Sequence, residues 1–195
     1  MNSPFSALLL AGGKSTRMQR DKAFLAIAGE PLWRRQLGLL MSLRPHDVFV
    51  AGPRHREWID ATCKIIPDAA AAAGPLGALV AGLRVCASPL LLVLAVDLPC
   101  MTADCLRSVL QLCAPSKGVI PKTDRLEPLA AIYPTTTLGF AEEQLAAGEF
   151  SMHAFVQRCM QDGLIREWSV PPSQAPLFLN ANTPLDLERA NEQTS

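Results

Sequence analysis

Gly12-Gly13-Lys14-Ser15, with Arg17 and Lys22 close behind, gathers the residue types that handle phosphate. Glycines let backbone N–H groups approach an anion, and a loop after a strand can form an anion nest. Arg17 offers a planar fork of donors for phosphate oxygens, and Lys22 a compact charge. The ending Gly13-Lys14-Ser15 is that of a Walker phosphate loop, but the glycine required ahead of it is replaced by Leu8, inside an apolar run. Asp97, directly after a second apolar run, is the hard oxygen ligand that a magnesium ion bridging phosphates needs. Read singly, Arg17 and Lys22 suit an ordinary basic loop, Asp21 beside Lys22 a surface pair, and Asp97 a turn or a cap. Together, at the ends of successive predicted strands, they point to a phosphate site.

The elements that must position these residues follow from apolar patterning. Residues 7–11 (ALLLA) read as a buried parallel strand running into the glycine loop. Residues 31–43 carry apolar side chains at helical spacing, with Pro31 suited to the first helical position. Strands are predicted at 47–51, 63–66, 118–120, 129–133 and 165–170, and a short helix at 58–62. Residues 90–96 (LLLVLAV) form the most strand-like stretch and should lie centrally in a sheet. Asp68 and the alanines after it read as a loop entering Gly74-Pro75-Leu76 and a helix to about residue 86. Further helices are predicted at 102–112, with Thr102 as cap, and at 136–147 and 151–161. The 171–176 stretch reads as a loop, and Asn182 or Thr183 caps a last helix with Pro184 at its first position.

Alternating strands and helices imply an α/β fold: one three-layer domain over residues 1–195, with a mostly parallel Rossmann-like sheet and helices on both faces. In such sheets ligands bind beyond the carboxyl ends of the strands, where the Gly12-Gly13 loop and Asp97 are predicted.

Composition excludes several classes. Of 195 residues, 49% are hydrophobic, enough for a sizeable core, and the formal net charge is zero. A broad electrostatic nucleic-acid footprint needs clustered basic residues and is not expected. No apolar run approaches the ~18 residues of a membrane span, and the apolar start reads as a strand, not a signal peptide. A cytoplasmic protein is expected. Its six cysteines lack a close pair and read as reduced, mostly buried thiols. His46, His55 and His153 do not sit at ligand spacing and read as ordinary polar residues.

Leu10-Ala11-Gly12-Gly13-Lys14-Ser15-Thr16-Arg17-Met18 followed by Asp21-Lys22 resembles the opening signature of the molybdenum cofactor guanylyltransferase family of nucleotidyltransferases. The resemblance continues in order through Asp68, Gly74-Pro75-Leu76, Asp97-Leu98-Pro99, the 127–133 segment (EPLAAIY) and Asn180-Ala181-Asn182-Thr183-Pro184. It covers nearly the whole chain, from residue 7 to about 190. The first motif marks a wider superfamily with a nucleotide-diphospho-sugar-transferase-like fold; the later two narrow it. Gln19 stands where the family usually has glycine, Gly77-Ala78 reverses a usual order, and residues 47–53 lack an asparagine that some members carry.

The resemblance implies transfer of GMP from GTP to the terminal phosphate of molybdopterin, with Mg2+ and release of pyrophosphate. It implies that Leu10, Ala11, Gly12, Gly13 and Ser15 hold the nucleotide, with Arg17 and Lys22 on its phosphates. Asp68 and Gly74, Pro75 and Leu76 would contact the nucleoside, Asp97 would bind the metal, and Asn180 and Asn182 would face the acceptor. Proteins that deliver molybdopterin or mature molybdoenzymes are the partners this reading admits. The chemistry suits the residues, because a phosphate monoester with a second pKa near ~6 is already largely anionic and needs no general base. Lys122, Asp124 and Arg125 read as a solvent-exposed turn, with overhang of the acceptor as the alternative. The rivals are a cytidylyltransferase on the same pterin, where relatives tend to carry alanine at the position of Gly12, a sugar-phosphate nucleotidyltransferase, and a catalytically silent nucleotide-binding module.

Overall fold

Strand β1 (Phe5–Leu10) is apolar on both faces because both faces are covered. Ala7 and Leu9 point into one apolar cluster, Leu8 and Leu10 into another, as the two-residue period of a strand requires. The computed structural model describes residues 3–12, 22–52, 63–67, 73–181 and 183–194. After a 3-10 turn at Lys22–Phe24 come a small hairpin, β2 (Ala26–Ile27) and β3 (Glu30–Pro31), helix α1 (Leu32–Ser42), β4 (Val48–Ala51) and β5 (Lys64–Ile66). Helix α2 (Gly74–Val85) leads to β6 (Leu90–Ala95), and α3 (Ala103–Gln111) to β7 (Gly118–Lys122) and β8 (Ala130–Pro134). Helices α4 (Leu138–Ala146) and α5 (Met152–Gln161), strand β9 (Ile165–Ser169) and α6 (Pro184–Thr194) follow.

Seven strands form one sheet in the order β5-β4-β1-β6-β8-β7-β9. The neighbours β5–β4, β4–β1, β1–β6 and β7–β9 are parallel. β8 runs against both of its neighbours, β6 and β7. As expected, the 90–95 run is the central strand. One face of the sheet packs on α1 and α3 through Leu32, Trp33, Leu37, Leu106 and Val109. The other packs on α2 and α5 through Leu76, Leu79, Phe155 and Val156, which gives the expected three layers. Because the chain moves from β1 to β4 on one side and later places β6 on the other, the topological switch point lies at the carboxyl end of β1, where ligands bind in such sheets.

Two local expectations change. Pro31 is not the first helical residue: it is extended, pairs with Ala26 across the hairpin, and α1 begins at Leu32. A proline lacks the N–H a central ladder would use, and a two-stranded edge pairing tolerates that. The stretch expected as a loop forms a 3-10 helix, Pro172–Phe178, closed by Gln174 N–H to Pro171 O (2.8 Å) and Leu179 N–H to Pro176 O (3.2 Å). Proline fixes φ near the helical value, which favours such turns. The expected helix at 58–62 lies outside the described residues.

Caps follow the sequence closely. Thr102 Oγ1 accepts from Cys105 N–H, and Ser151 Oγ from Ala154 N–H. At α6 the pairing is reciprocal: Thr183 Oγ1 accepts from Asp186 N–H (3.2 Å), and Asp186 Oδ2 from Thr183 N–H (2.9 Å).

Candidate functional site

Parallel register puts the two strongest sequence candidates side by side. Leu10 of β1 pairs with Ala95 of β6, and Val96 N–H donates to Leu10 O at 3.0 Å. Gly12 and Asp97 each lie two residues beyond that pair, just past the ends of strands whose axes are ~4.8 Å apart. Leu10 and Ala11 are buried and Gly12 is exposed, so Gly12 is the first residue of this motif open to solvent. The N–H groups of Ala11 and Gly12 both donate to Ala51 O, at 2.9 and 3.1 Å, and lock the start of the glycine loop to β4. Gly52 makes that approach possible. A Cβ there would sit 3.0 Å from Gly12 N and 3.2 Å from Ala11 C, tighter than backbone atoms tolerate.

The loop carrying Asp97 is held through successive carbonyls. Asp97 O accepts from Ala181 N–H (2.8 Å), Leu98 O from Gln36 Nε2 (2.7 Å), and Pro99 O from Arg35 Nε (3.2 Å). Met101 N–H donates back to Leu98 O at 3.1 Å. The closing motif, 83 positions downstream of Asp97 at Asn180, is thereby brought to the same corner (180 − 97 = 83). Asn180 is half-buried beside fully buried Ala181. Helix α6 leaves this corner and returns to the hairpin, where Asn191 Oδ1 accepts from Ala28 N–H at 2.9 Å.

The other candidates divide. Lys22 opens the 3-10 turn, and the segment after it is fixed to α1 by Leu32 N–H to Leu25 O, 2.8 Å. Gly74 starts α2 with φ +56°, a left-handed conformation that side chains resist. Gly74 and Pro75 are exposed, whereas Leu76 is fully buried and packs in the core, leaving only its backbone for contact with a ligand. Gly13, Ser15, Arg17, Asp68 and Asn182 lie outside the described residues.

The segment after β7 borders the corner from the β8 side. Leu129 O accepts from Ala95 N–H at 2.8 Å, so the strand that leads to Asp97 is also tied to the 127–129 motif. Tyr133 OH donates to Pro128 O at 2.7 Å; burial pushes this phenol well up and keeps it a donor. Glu127, buried, accepts from Thr123 Oγ1 (2.8 Å) and pairs with Arg125 Nε (3.5 Å). Lys122 reaches Glu167 on β9 at 3.1 Å. Asp124 and Arg125 are exposed, as a turn should be.

Among the described residues no group of three or more His, Cys, Asp and Glu could cage a metal. The Asp97 carboxylate suits a cation that keeps water and phosphate oxygens as its other ligands, which is magnesium's habit. Burial disfavours the thiolate at every cysteine. Cys100, Cys105 and Cys159 are buried and the other three are half-buried. Burial pushes Cys105 up to about 11 and both Cys113 and Cys159 up to about 12. His46 pairs with Asp47 and His153 with Gln157, away from the corner; His55 lies outside the described residues.

The model of the MobA-like NTP transferase domain matches residues 7–162. The chain belongs to this family. It is 34% identical over 191 residues to a probable molybdenum cofactor guanylyltransferase of Opitutus terrae, covering 96% of this chain and 95% of that one. It is 30% identical over 191 residues to a second such protein, from Chloroflexus aggregans, covering 94% and 91%. Its fold is similar to the crystal structure of molybdopterin-guanine dinucleotide biosynthesis protein A from Archaeoglobus fulgidus. There the TM-score is 0.76 at 21% identity, covering 96% and 97% of the two chains.

Within the MobA-like fold, the residues that motif reading overlooked are Gln36, Arg35 and Gly52. Each acts through a partner distant in sequence or through a close approach. Only Gly52, a glycine just past an apolar strand, carried a usable signal.

Proposed function

We propose that this chain, as one nucleotidyltransferase domain, transfers GMP from GTP to the terminal phosphate of molybdopterin. A phosphate oxygen of the acceptor attacks the α-phosphorus, the bond from that phosphorus to the bridging oxygen breaks, and pyrophosphate leaves. The observation that carries the reading is the convergence of Gly12, Asp97 and the Asn180-Ala181 segment at one carboxyl-end corner of the sheet. The names of its relatives support it, as does the lack of a thiolate or histidine base at that corner among the described residues. Transfer between phosphates needs alignment and charge neutralisation more than proton removal.

In this reading the backbone of residues 10–13 holds the nucleotide, with Ser15 beside it, and Arg17 and Lys22 lie on its phosphates. Asp68 and the start of α2 face the nucleoside. Asn180 and Asn182 face the acceptor. Asp97 would hold Mg2+, which when bound neutralises the gathering charge on the triphosphate. In this reading the enzyme works in the cytoplasm; among the described residues no helix is long and apolar enough to cross a membrane.

Pyrophosphate release is the test, with each of the four NTPs, with and without molybdopterin and magnesium. Release that requires GTP, molybdopterin and magnesium together is the expected result. Equal use of CTP would make the cytidylyl reaction the better reading. Release with a sugar phosphate in place of molybdopterin would move the chain to the sugar nucleotidyltransferases.

A further inference from the structure

Helix α1 aims two side chains at the loop behind Asp97. Gln36 is fully buried and donates Nε2 to Leu98 O at 2.7 Å, and Arg35 donates Nε to Pro99 O at 3.2 Å. Gln36 sits among Leu32, Trp33, Leu37 and Leu40, an apolar stripe in which packing alone would favour leucine or methionine. Among the described residues its buried Oε1 has no hydrogen-bond partner. A buried acceptor left unmade is unfavourable, so the amide is there for its donor, and the donor goes to one backbone carbonyl. That carbonyl belongs to the residue after Asp97. The first turn of the same helix holds the other side of the proposed phosphate site, since Leu32 N–H donates to Leu25 O just past the Lys22–Phe24 turn. One rigid element therefore sets the backbones of Asp97 and Lys22 relative to each other.

We infer that Gln36 is a positioning residue: through Leu98 O it fixes the direction of the Asp97 carboxylate and so governs how tightly metal–GTP binds. This rests on the roles given above to Asp97 and Lys22. A neutral donor buried in a low-dielectric site holds such a loop without competing with the metal for the carboxylate.

The test uses full-length Gln36→Met, which keeps volume and removes the donor, and Arg35→Met at a part-exposed position. Three measurements are made: amide exchange of Met101 and Ala181 in ligand-free protein, affinity for GTP without metal and for Mn2+–GTP, and pyrophosphate release against magnesium. Gln36→Met should keep its melting temperature or raise it, because the orphaned acceptor is gone. Both amides should exchange faster, since their acceptors Leu98 O and Asp97 O lie in the loosened loop. Metal-free GTP affinity should stay within about twofold while Mn2+–GTP affinity falls ~10–100-fold, the range for loss of a residue that orients a metal ligand. The rate should fall through kcat, with the KM for molybdopterin unchanged. Arg35→Met should move each quantity the same way by less, and it decides the matter if Gln36→Met does not fold. Unchanged Mn2+–GTP affinity in the folded variant overturns the inference, as does equal loss of metal-free and metal-bound affinity. If the wild type binds Mn2+–GTP but transfers no GMP to molybdopterin, the proposed reaction fails and Gln36 is still judged on binding. A wild type that binds no Mn2+–GTP overturns both.

Discussion

Two loops border the same corner and are held in opposite ways. The loop after β6, residues 97–101, is fixed on its carbonyls by backbone N–H groups, by one fully buried neutral amide and by the part-buried Arg35 guanidinium. The connection from β7 to β8, residues 122–129, is held through its outer half by charges: Lys122 on Glu167, and Arg125 and Thr123 on Glu127. Lys122 and Arg125 are 44% and 66% exposed, so salt and water weaken their pairs. Most of the first arrangement is independent of ionic strength, which fits the role proposed above for Asp97. The second, on the reading proposed above, is the one that adjusts to the acceptor. The difference predicts that damage to the first loop lowers the rate, and damage to the second changes acceptor affinity.

The largest effect should come from Asp97→Asn. An amide is a far poorer magnesium ligand than a carboxylate, and transfer should fall by ~100-fold or more with the fold intact. Turnover against magnesium, with circular dichroism as the control, checks it; near wild-type turnover at limiting magnesium would remove Asp97 from the metal. Next is Lys22→Ala, which should weaken GTP binding and slow transfer together by about 2–4 kcal/mol if the contact is charge-assisted and desolvated. Equilibrium titration of GTP decides it. Unchanged affinity and rate would return Lys22 to the surface as a partner of Asp21.

Gly52→Ala should come third. Its new methyl meets Gly12 N at 3.0 Å, with backbone that has little room to yield. The glycine loop must shift, and GTP should bind ~10-fold more weakly by the usual cost of a small displacement at a reacting centre. Wild-type affinity in this variant would mean that the loop and Gly52 move independently. The smallest effect should come from Glu127→Gln, which keeps an acceptor for Thr123 and removes the charge facing Arg125. It should raise the KM for molybdopterin a few-fold, leave kcat and the KM for GTP nearly unchanged, and flatten the salt dependence of acceptor binding. Stability should drop by about 1 kcal/mol, measured by urea unfolding. A change confined to kcat would erase the contrast between the two loops.

An acid titration sharpens the same point at a remote site. At the opposite end of β4, the Lys64 ammonium (2.6 Å) and His46 hold Asp47 below the usual carboxylate range. A depressed folded-state pKa gives stability that is present above the unfolded value and lost as pH falls through the folded one. Lys64→Ala should therefore raise the Asp47 pKa, read by NMR, and cost a few tenths of a kcal/mol at neutral pH, as exposed pairs do. Transfer should not change, because this pair is far along the strands from the corner.

What sequence alone determined was whatever depends on short range. The Thr102, Ser151 and Thr183 caps, the strand at 90–96 and the placement of Asp97 after it all follow from residues within a few positions of one another. Apolar runs with no alternation announced strands covered on both faces, hence helices above and below. Tertiary structure alone decided what joins distant positions. An apolar run carries no direction, so the reversal of β8 between β6 and β7 could not be read from EPLAAIY. The partner of Gln36 lies 62 residues away, and Asp97 O meets Ala181 N–H only once the chain has closed on itself. Such bonds depend on the spacing of packed layers, and one glutamine in an apolar helix looks in sequence like a defect until the loop it holds is in place.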